Sequence, residues 1–366
     1  MESYLKINNE TKNIRVKHFL DSSLFNNYRN KFKGLTPDEI KKIYNYNNNY
    51  TGKGQTIAII CAYDYPTAKI DLSIFSIAFK LPKANIKVYY PEGKPEVEAN
   101  WALESAMGIQ WVHAMAPQSK ILLVLAKDNT LESLGKAVEF ACEKSVDIIS
   151  MSWGTEENIY DVMLENIFSK YNKTIFLAAS GDIGGIPIYP STSQKVISIG
   201  GTTLNFDENN NYINEVSWIN SGGGYAHYIL IPSWQKDLGI IGSSRSTPDV
   251  AFVADSLSGV RVFTSTPLNG YEGWGVLGGT SLSSHCWAGI LACINQAVHK
   301  NIQLTSRLLY ELAGKNEYIN KWKCFNDIIN GMTGNFLAEK GYDQITGLGS
   351  PNINNLIKTI FNMSLN

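Results

Sequence analysis

The stretch Gly278-Gly-Thr-Ser-Leu-Ser-Ser284 leads into a segment, residues 282–298, that is apolar on almost every face. A helix that is hydrophobic all round is typical of the centre of a large protein. The glycines before it let another backbone approach closely, because they carry no side chain. The sequence therefore predicts a buried central helix with Ser281 at its N-terminus.

Around this helix, short β-branched runs alternate with amphipathic stretches. Such alternation favours an α/β fold, in which a parallel sheet is covered by helices on both faces. Helical spacing predicts helices over residues 101–116, ended by Pro117, and over residues 131–141, where Asn129 and Glu132 form a capping box. The predicted strands cover residues 56–61, 86–90, 121–125, 147–151, 174–178, 196–199 and 260–263.

The composition excludes several classes of protein. The 366 residues are 44% hydrophobic and 18% charged, which excludes a disordered chain and leaves ample material for a large core. The net charge of −1 and the lack of a basic block argue against nucleic acid as a partner. The apolar runs are strand-sized, so no membrane span is predicted. We expect one large domain over residues 36–366, preceded by a polar N-terminal arm over residues 1–35.

The compartment is inferred from missing signals. The N-terminus has no basic segment followed by an apolar one, as a secretory signal would have. The five cysteines are scattered and form no CxxC motif, which predicts buried free thiols in a reducing environment. We therefore expect a cytoplasmic protein, with secretion by another route left open. The sequence does not indicate the oligomeric state.

Three segments hold side chains suited to catalysis. Ser281 lies where free helix N–H groups favour developing negative charge, although a helix-capping serine is the commoner explanation of such a residue. Asp182 follows a predicted strand in Ala179-Ser-Gly-Asp-Ile-Gly-Gly185, either as a binding group or as an Asx-turn aspartate. Glu104 lies among apolar residues of a predicted helix, which makes it a candidate general base.

A fourth segment combines Cys324-Phe-Asn-Asp-Ile-Ile329 with Gly341-Tyr-Asp343. Its two aspartates, Asp327 and Asp343, lie on adjacent loops with small residues around them. Such carboxylates, together with backbone oxygens, could hold a hard cation. The spacing is not that of an EF-hand.

Taken in order, these segments and several others resemble the sedolisin family of serine-carboxyl peptidases, from about residue 44 to residue 351. The resemblance implies a subtilisin-like, doubly wound and mostly parallel sheet with helices on both faces, and hydrolysis of peptide bonds by acyl transfer. The further matching stretches are Tyr50-Thr-Gly-Lys-Gly-Gln-Thr-Ile-Ala-Ile59, Ser150-Met-Ser-Trp-Gly154, Tyr189-Pro-Ser-Thr-Ser193, Gly200-Gly-Thr-Thr203, Ser221-Gly-Gly-Gly224, Arg245-Ser-Thr-Pro-Asp-Val250 and Gly341-Tyr-Asp-Gln-Ile-Thr-Gly-Leu-Gly349.

The resemblance also implies residue roles. Ser281 matches the nucleophile, Glu104 the glutamate that takes the serine proton, and Asp182 the aspartate that supports the oxyanion. An aspartate must be protonated to donate a hydrogen bond, so activity in acid is expected. The family's single calcium ion (Ca2+) is matched by the side chains of Asp327 and Asp343 and the carbonyls of Ile328, Gly341 and Glu339, the last replacing a usual glycine.

The chain also departs from the family pattern. The family has an aspartate four residues after the catalytic glutamate, and that position is Gly108 here. A water in the gap, or Asp64, could take the place of the missing carboxylate, whereas Gln110 lies on a different helix face. His285 stands where the family usually has proline, and its i, i+4 spacing from Ser281 favours a packing histidine over a base.

Two functions follow from this pattern. The first is a sedolisin-like peptidase acting on peptides or unfolded proteins, weakened by the incomplete triad. The alternative is an inactive pseudopeptidase that binds peptides in the retained cleft, where residues 150–154 offer their backbone to an extended strand. The retained serine, glutamate and aspartate favour the enzyme. Gly108 and the short segment before the domain, in place of the family's long pro-region, favour the binding protein.

Overall fold

A computed structural model describes residues 17–18, 34–46, 49–157, 162–209, 211–299, 303–314 and 318–365. Its helices are α1 (Pro37–Ile43), α2 (Ala68–Ala78), α3 (Ala99–Met115), α4 (Leu131–Glu143), α5 (Val162–Lys170), α6 (Ser233–Asp237), α7 (Thr280–Ala297), α8 (Ser306–Ala313) and α9 (Ile353–Ser364), with a 3₁₀ turn at Ser256–Ser258.

The longer strands are β2 (Thr56–Ala62), β3 (Asn85–Tyr89), β4 (Lys120–Ala126), β5 (Ile148–Met151), β6 (Trp153–Glu156), β7 (Ile175–Ala179), β9 (Val196–Phe206), β10 (Tyr212–Ser217), β11 (Gly224–Leu230), β12 (Ser244–Thr247), β13 (Val250–Val253), β14 (Val260–Leu268) and β15 (Tyr271–Leu277). Two-residue strands are β1 (Lys17–His18), β8 (Ile188–Tyr189), β16 (Phe325–Asn326), β17 (Met332–Thr333), β18 (Phe336–Leu337) and β19 (Ser350–Pro351).

The central sheet has eight strands in the order β10-β9-β7-β5-β2-β4-β3, with β13 also paired to β9. Every pair is parallel except β10 with β9. Strands β5 and β7 are buried along their whole length, as expected for a parallel sheet covered by helices. The predicted α/β fold with a mostly parallel sheet is confirmed.

The strand order reverses at β2, with β4 and β3 on one side and β5, β7 and β9 on the other. In open α/β sheets, ligands bind beyond the carboxyl ends of the strands near such a reversal. Strand β5 ends one residue before Ser152, and β7 ends three residues before Asp182. The candidate catalytic segments therefore follow neighbouring strands at one edge of the sheet.

The predicted central helix is confirmed as α7, which begins at Thr280. It packs against α3 and against β2, β5, β7, β9 and β13. Helix α2 packs on α3, while α4 packs on β2 and β4 and also contacts α5. The site is therefore built on the most enclosed pair of helices, α3 and α7.

One local prediction needs correction, and one predicted strand lies outside the central sheet. The capping residue of α4 is Thr130, whose hydroxyl accepts from Ser133 N at 3.2 Å, while Asn129 accepts from the Tyr63 hydroxyl. The strand predicted at residues 260–263 is β14, which pairs antiparallel with β15 outside the central sheet. Its burial alternates along the strand, as in a strand with one covered face.

All five cysteines are buried and free, as predicted. In the part of the chain that the structure describes, no helix combines the length and the apolar character needed to cross a bilayer.

Most of the predicted N-terminal arm lies outside the described residues. Its described pieces both contact the domain. Strand β1 pairs antiparallel with β6, with Lys17 opposite Gly154 and His18 opposite Trp153. Leu35 forms a parallel bridge with Val260.

The crossing of α3 and α7 depends on a glycine. A Cβ added to Gly289 of α7 would lie 2.5 Å from the Cβ of Met115 on α3. That distance is far inside van der Waals contact, and the atom it meets is fixed to the backbone. The two helices can approach this closely only because residue 289 has no side chain.

We expect Gly289→Ala to lower the free energy of unfolding by about 1–3 kcal/mol, because the added methyl forces the helices apart. The matched control is Gly135→Ala in α4, where the nearest atom is the terminal methyl of Met163, a flexible side chain that can move aside. Urea unfolding of both variants is the measurement. Equal losses in the two variants would contradict the account of the crossing.

Candidate active site

Ser281 lies in the first turn of α7, at the carboxyl edge of the sheet. The preceding Gly279 has φ +98°, a conformation that side chains disfavour. Ser281 is fully buried, and its Oγ donates to the Ser152 carbonyl at 3.2 Å. N–H groups of a first helical turn have no intrahelical acceptor, so the Ser281 N–H is available to a developing negative charge.

Asp182 is tied to the residue before Ser281. Its Oδ1 accepts from Thr280 N at 2.8 Å and from Thr280 Oγ1 at 2.7 Å. The same hydroxyl accepts from Gly181 N at 3.1 Å. Because its partner lies on α7, Asp182 is more than an aspartate that closes its own turn. The structure brings Asp182 and Ser281 together.

Glu104 is fully buried in the middle of α3. Its Oε1 lies 3.3 Å from Nε2 of His285, and its Oε2 has no hydrogen-bond partner among the described residues. Burial and, to a lesser extent, the charge of Glu104 raise the pKa of the neighbouring Cys61 thiol. Within the described residues, no hydrogen bond joins Glu104 to Ser281, whose hydroxyl is turned to Ser152.

His285 fills the space at Gly108. A Cβ added to Gly108 would lie 2.9 Å from His285 Nε2 and 3.0 Å from its Cε1, so the predicted water-filled gap is wrong. His285 is fully buried, as expected for a packing histidine, and both of its ring nitrogens also make polar contacts. Nε2 faces Glu104, and Nδ1 lies 3.0 Å from the Ser150 hydroxyl.

Asp64 does not take the place of the missing carboxylate. It accepts from the Tyr90 hydroxyl at 2.7 Å and forms an ion pair with Lys94 at 3.2 Å. Gln110 exchanges hydrogen bonds with the backbone of Phe263, which confirms that it lies on a different face. Neither side chain is available to orient Glu104.

Two serines of the site were missed in the sequence. The Ser150 hydroxyl, on β5, lies 3.0 Å from both the His285 ring and the Ser284 hydroxyl. The sequence did contain a signal for this contact. Relative to the family pattern, a carboxylate is missing at Gly108 and a larger polar side chain is present at His285, so the two changes are complementary. The spacing along each helix does not show that Gly108 and His285 are neighbours; only the crossing of α3 and α7 does.

The predicted cation ligands converge in part. Both oxygens of Asp327 accept from Gly341 N at 3.1 Å, and Asp343 accepts from the N–H groups of Ile345 and Thr346 at 2.8 Å. Burial first, and then the charges of Asp327, Cys324 and Asp343, raise the pKa of the Tyr318 phenol. Ile328 follows Asp327 directly, and the Glu339 N–H also bonds to Asp343.

This donor set fits a hard cation. Burial raises the pKa of Asp343 to about 6 and also raises that of Asp327, so the protein alone stabilises these two carboxylates poorly. A cation would supply the missing charge. The described residues contain no group of three or more His, Cys, Asp or Glu side chains placed to hold a metal, so backbone carbonyls would have to complete the set.

The sequence profile of the Subtilase family matches residues 95–316, more than half of the chain. The chain belongs to the subtilase family. The matched region includes Glu104, Asp182 and Ser281, and thus both helices of the site.

This subtilase is similar to curated peptidases that include sedolisin itself, of Pseudomonas sp. (strain 101), at 26% identity over 88% of this chain and 60% of its own length. Tripeptidyl-peptidase 1 of Dictyostelium discoideum is 27% identical over 94% of this chain and 61% of its own length. Kumamolisin of Bacillus sp. (strain MN-32) is 27% identical over 86% of this chain and 62% of its own length. The resemblance to sedolisins is confirmed, although this subtilase spans only about three-fifths of these relatives.

A solved structure matches the fold. Pseudomonas sedolisin, a serine-carboxyl proteinase complexed with pseudo-iodotyrostatin, has a TM-score of 0.80 at 24% sequence identity. The match covers 92% of this subtilase and 100% of that chain. The subtilisin-like architecture is therefore confirmed over nearly the whole chain.

We expect Asp182→Ala to lower the free energy of unfolding of this subtilase by about 1–2 kcal/mol, because the first turn of α7 loses its acceptor. Asp182→Asn keeps an acceptor oxygen and should remain within about 0.5 kcal/mol of the original stability. Urea unfolding compares the two. A loss in the asparagine variant as large as in the alanine variant would contradict the capping contact.

Proposed function

We propose that this protein is a serine-type peptidase that hydrolyses peptides or unfolded proteins by acyl transfer through Ser281. The proposal rests on the meeting of Ser281, Asp182 and Glu104 around α7, in a chain of the subtilase family. A serine at a helix N-terminus, a carboxyl group beside it and a buried base are the groups that acyl transfer requires.

The reaction begins when Ser281 Oγ attacks the peptide carbonyl carbon and passes its proton to Glu104. The proton then goes to the leaving amine as the C–N bond breaks, and water hydrolyses the acyl-enzyme by the same route. Ser281 Oγ must first turn away from the Ser152 carbonyl. Such rearrangement is common, because catalytic hydrogen bonds are often long or misaligned before substrate binds.

The oxyanion is stabilised by the Ser281 N–H and by Asp182. The Ser281 N–H belongs to the first turn of α7, where the helix dipole favours negative charge, and Asp182 contacts that turn from the loop after β7. Asp182 must carry a proton to donate a hydrogen bond. We therefore propose a reaction favoured by acid.

The pairing of β1 with β6 supports a peptide as the substrate. Lys17 and His18 lie on β6 as an antiparallel strand, so this edge accepts an extended backbone. Strand β6 begins directly after Ser152, the residue that contacts Ser281 Oγ. A substrate that adds to β6 in the same manner would pass the nucleophile, in competition with β1.

The alternative is a pseudopeptidase that binds peptides along β6 without cleaving them. Two observations favour it. Gly108 provides no carboxylate beside Glu104, and Ser281 Oγ is bonded to Ser152 rather than to a base. The two functions share one surface, and they differ only in whether the serine reacts.

We expect Ser281→Ala to lower kcat for an internally quenched peptide library by about 10⁴-fold or more, because the nucleophile is lost. Cleavage is followed from acid to neutral pH, with calcium present. The matched control is Ser283→Ala, which removes a buried hydroxyl that donates to Phe252 and Val253 outside the site. Cleavage that survives in Ser281→Ala would refute the peptidase, and peptide binding without any cleavage by the wild type would establish the alternative.

We also propose one Ca²⁺ held by the side chains of Asp327 and Asp343 and by the carbonyls of Ile328, Gly341 and Glu339. When bound, the ion supplies positive charge that stabilises the loops between β16 and β19. The raised pKa of both carboxyl groups supports the proposal, because burial outweighs the charge of Lys340 at Asp327 and the N–H donors at Asp343.

Removal of calcium by a chelator is expected to lower Tm, because an ion that binds only the folded state at a hundred times its Kd stabilises it by about 2.7 kcal/mol. Asp327→Asn should abolish this response. Asp207→Asn, which changes an aspartate of another loop, should retain it. A Tm that does not respond to calcium in the wild type would refute the site.

A further inference from the structure

We propose that His285 is the positioning residue of Glu104, and that it replaces from α7 the carboxylate that α3 lacks at Gly108. This inference rests on the proposed function, since it assigns a role in activating Ser281. The catalytic triad would then consist of Ser281, Glu104 and His285, with His285 contacting Glu104 and not Ser281.

The first step of the argument is steric. The ring of His285 occupies the position that any side chain at residue 108 would enter, 2.9 Å from a Cβ built there. Ile59 closes the same space at 3.2 Å. An aspartate at position 108 would therefore require the His285 ring to move from its place beside Glu104.

The second step is the hydrogen-bond chain. His285 Nε2 lies 3.3 Å from Glu104 Oε1, and its Nδ1 lies 3.0 Å from the Ser150 hydroxyl, which in turn lies 3.0 Å from the Ser284 hydroxyl. All four side chains are fully buried. A hydroxyl can donate or accept, so Ser150 satisfies Nδ1 while Nε2–H donates to the carboxylate.

The third step concerns the two carboxylate oxygens of Glu104. A buried carboxylate without a partner is strongly disfavoured, and His285 is its hydrogen-bond partner among the described residues. Because the ring is held at both nitrogens, it fixes Oε1 and leaves Oε2 for the serine proton. His285 and Ser281 are one turn apart on α7, so the same helix carries the nucleophile and the group that orients its base.

The test uses three variants of the full chain. His285→Ala removes the ring, His285→Gln keeps a side-chain amide that can donate to Glu104, and Gly108→Asp combined with His285→Ala moves the partner back to α3. His113→Gln is the matched control, because His113 is a buried histidine of α3 that contacts the Pro82 carbonyl outside the site.

Two readouts are measured for each variant. The first is kcat and KM for an internally quenched peptide. The second is the rate at which a fluorophosphonate labels Ser281, a reaction in which the Oγ–P bond forms, the P–F bond breaks, fluoride leaves and the proton passes to Glu104. Labelling reports the activation of Ser281 even in a protein that turns over no peptide.

We expect His285→Ala to lower kcat and the labelling rate by about 10²- to 10⁴-fold, with KM changed by less than about threefold. Both rates should fall less in His285→Gln. In the double variant, Gly108→Asp combined with His285→Ala, both should be at least about tenfold higher than in His285→Ala. His113→Gln should lose stability only. Recovery of activity in the double variant distinguishes a positioning role of His285 from a general loss of folding.

The outcomes separate the two proposals. Wild-type cleavage that is unchanged in His285→Ala overturns the inference and leaves the peptidase intact. Labelling that depends on His285, in a protein that cleaves no peptide, supports the inference and refutes the peptidase. A wild type that neither cleaves peptides nor labels at Ser281 overturns both.

Discussion

The close crossing of α3 and α7 is the constraint on which the rest of the site depends. Each helix contributes a position without a side chain. A Cβ at Gly289 of α7 would overlap the Met115 Cβ of α3, and a Cβ at Gly108 of α3 would meet the His285 ring of α7 at 2.9 Å. The crossing buries Glu104 against the helix that carries Ser281 in its first turn. Since α7 also packs on five strands of the central sheet, the position of the nucleophile is fixed by the core of the protein.

Burial at this crossing determines the polar chemistry. A carboxylate in an apolar interior needs a hydrogen-bond partner, and Glu104 finds it in His285. The ring is itself supported by Ser150 on β5, so helix α3, helix α7 and the sheet hold one connected set of side chains. Asp182 anchors the start of α7 from the loop after β7. The site is therefore organised by packing between layers as well as by its own loops.

The sequence predicted the parallel sheet, the buried central helix and the candidate catalytic residues, because these follow from local patterns and from ordered motifs. Strand positions such as 56–61 are within a residue of β2. The role of His285 was not predicted, because spacing along one helix says nothing about which residue of another helix faces it. The contact of Lys17 with Gly154 joins residues far apart in the chain and has no local signal. The cap of α4 was misassigned because Asn129 and Thr130 are both good capping residues.

The central claim is that the helix crossing delivers a histidine-held Glu104 to Ser281. A high-resolution structure with a peptide aldehyde bound covalently to Ser281 Oγ tests it most directly. We expect a Glu104 oxygen within about 2.6–3.2 Å of Ser281 Oγ, with the His285 contact to the other oxygen preserved. An adduct in which Glu104 remains out of reach of Ser281, or in which His285 has turned away from Glu104, would contradict the account.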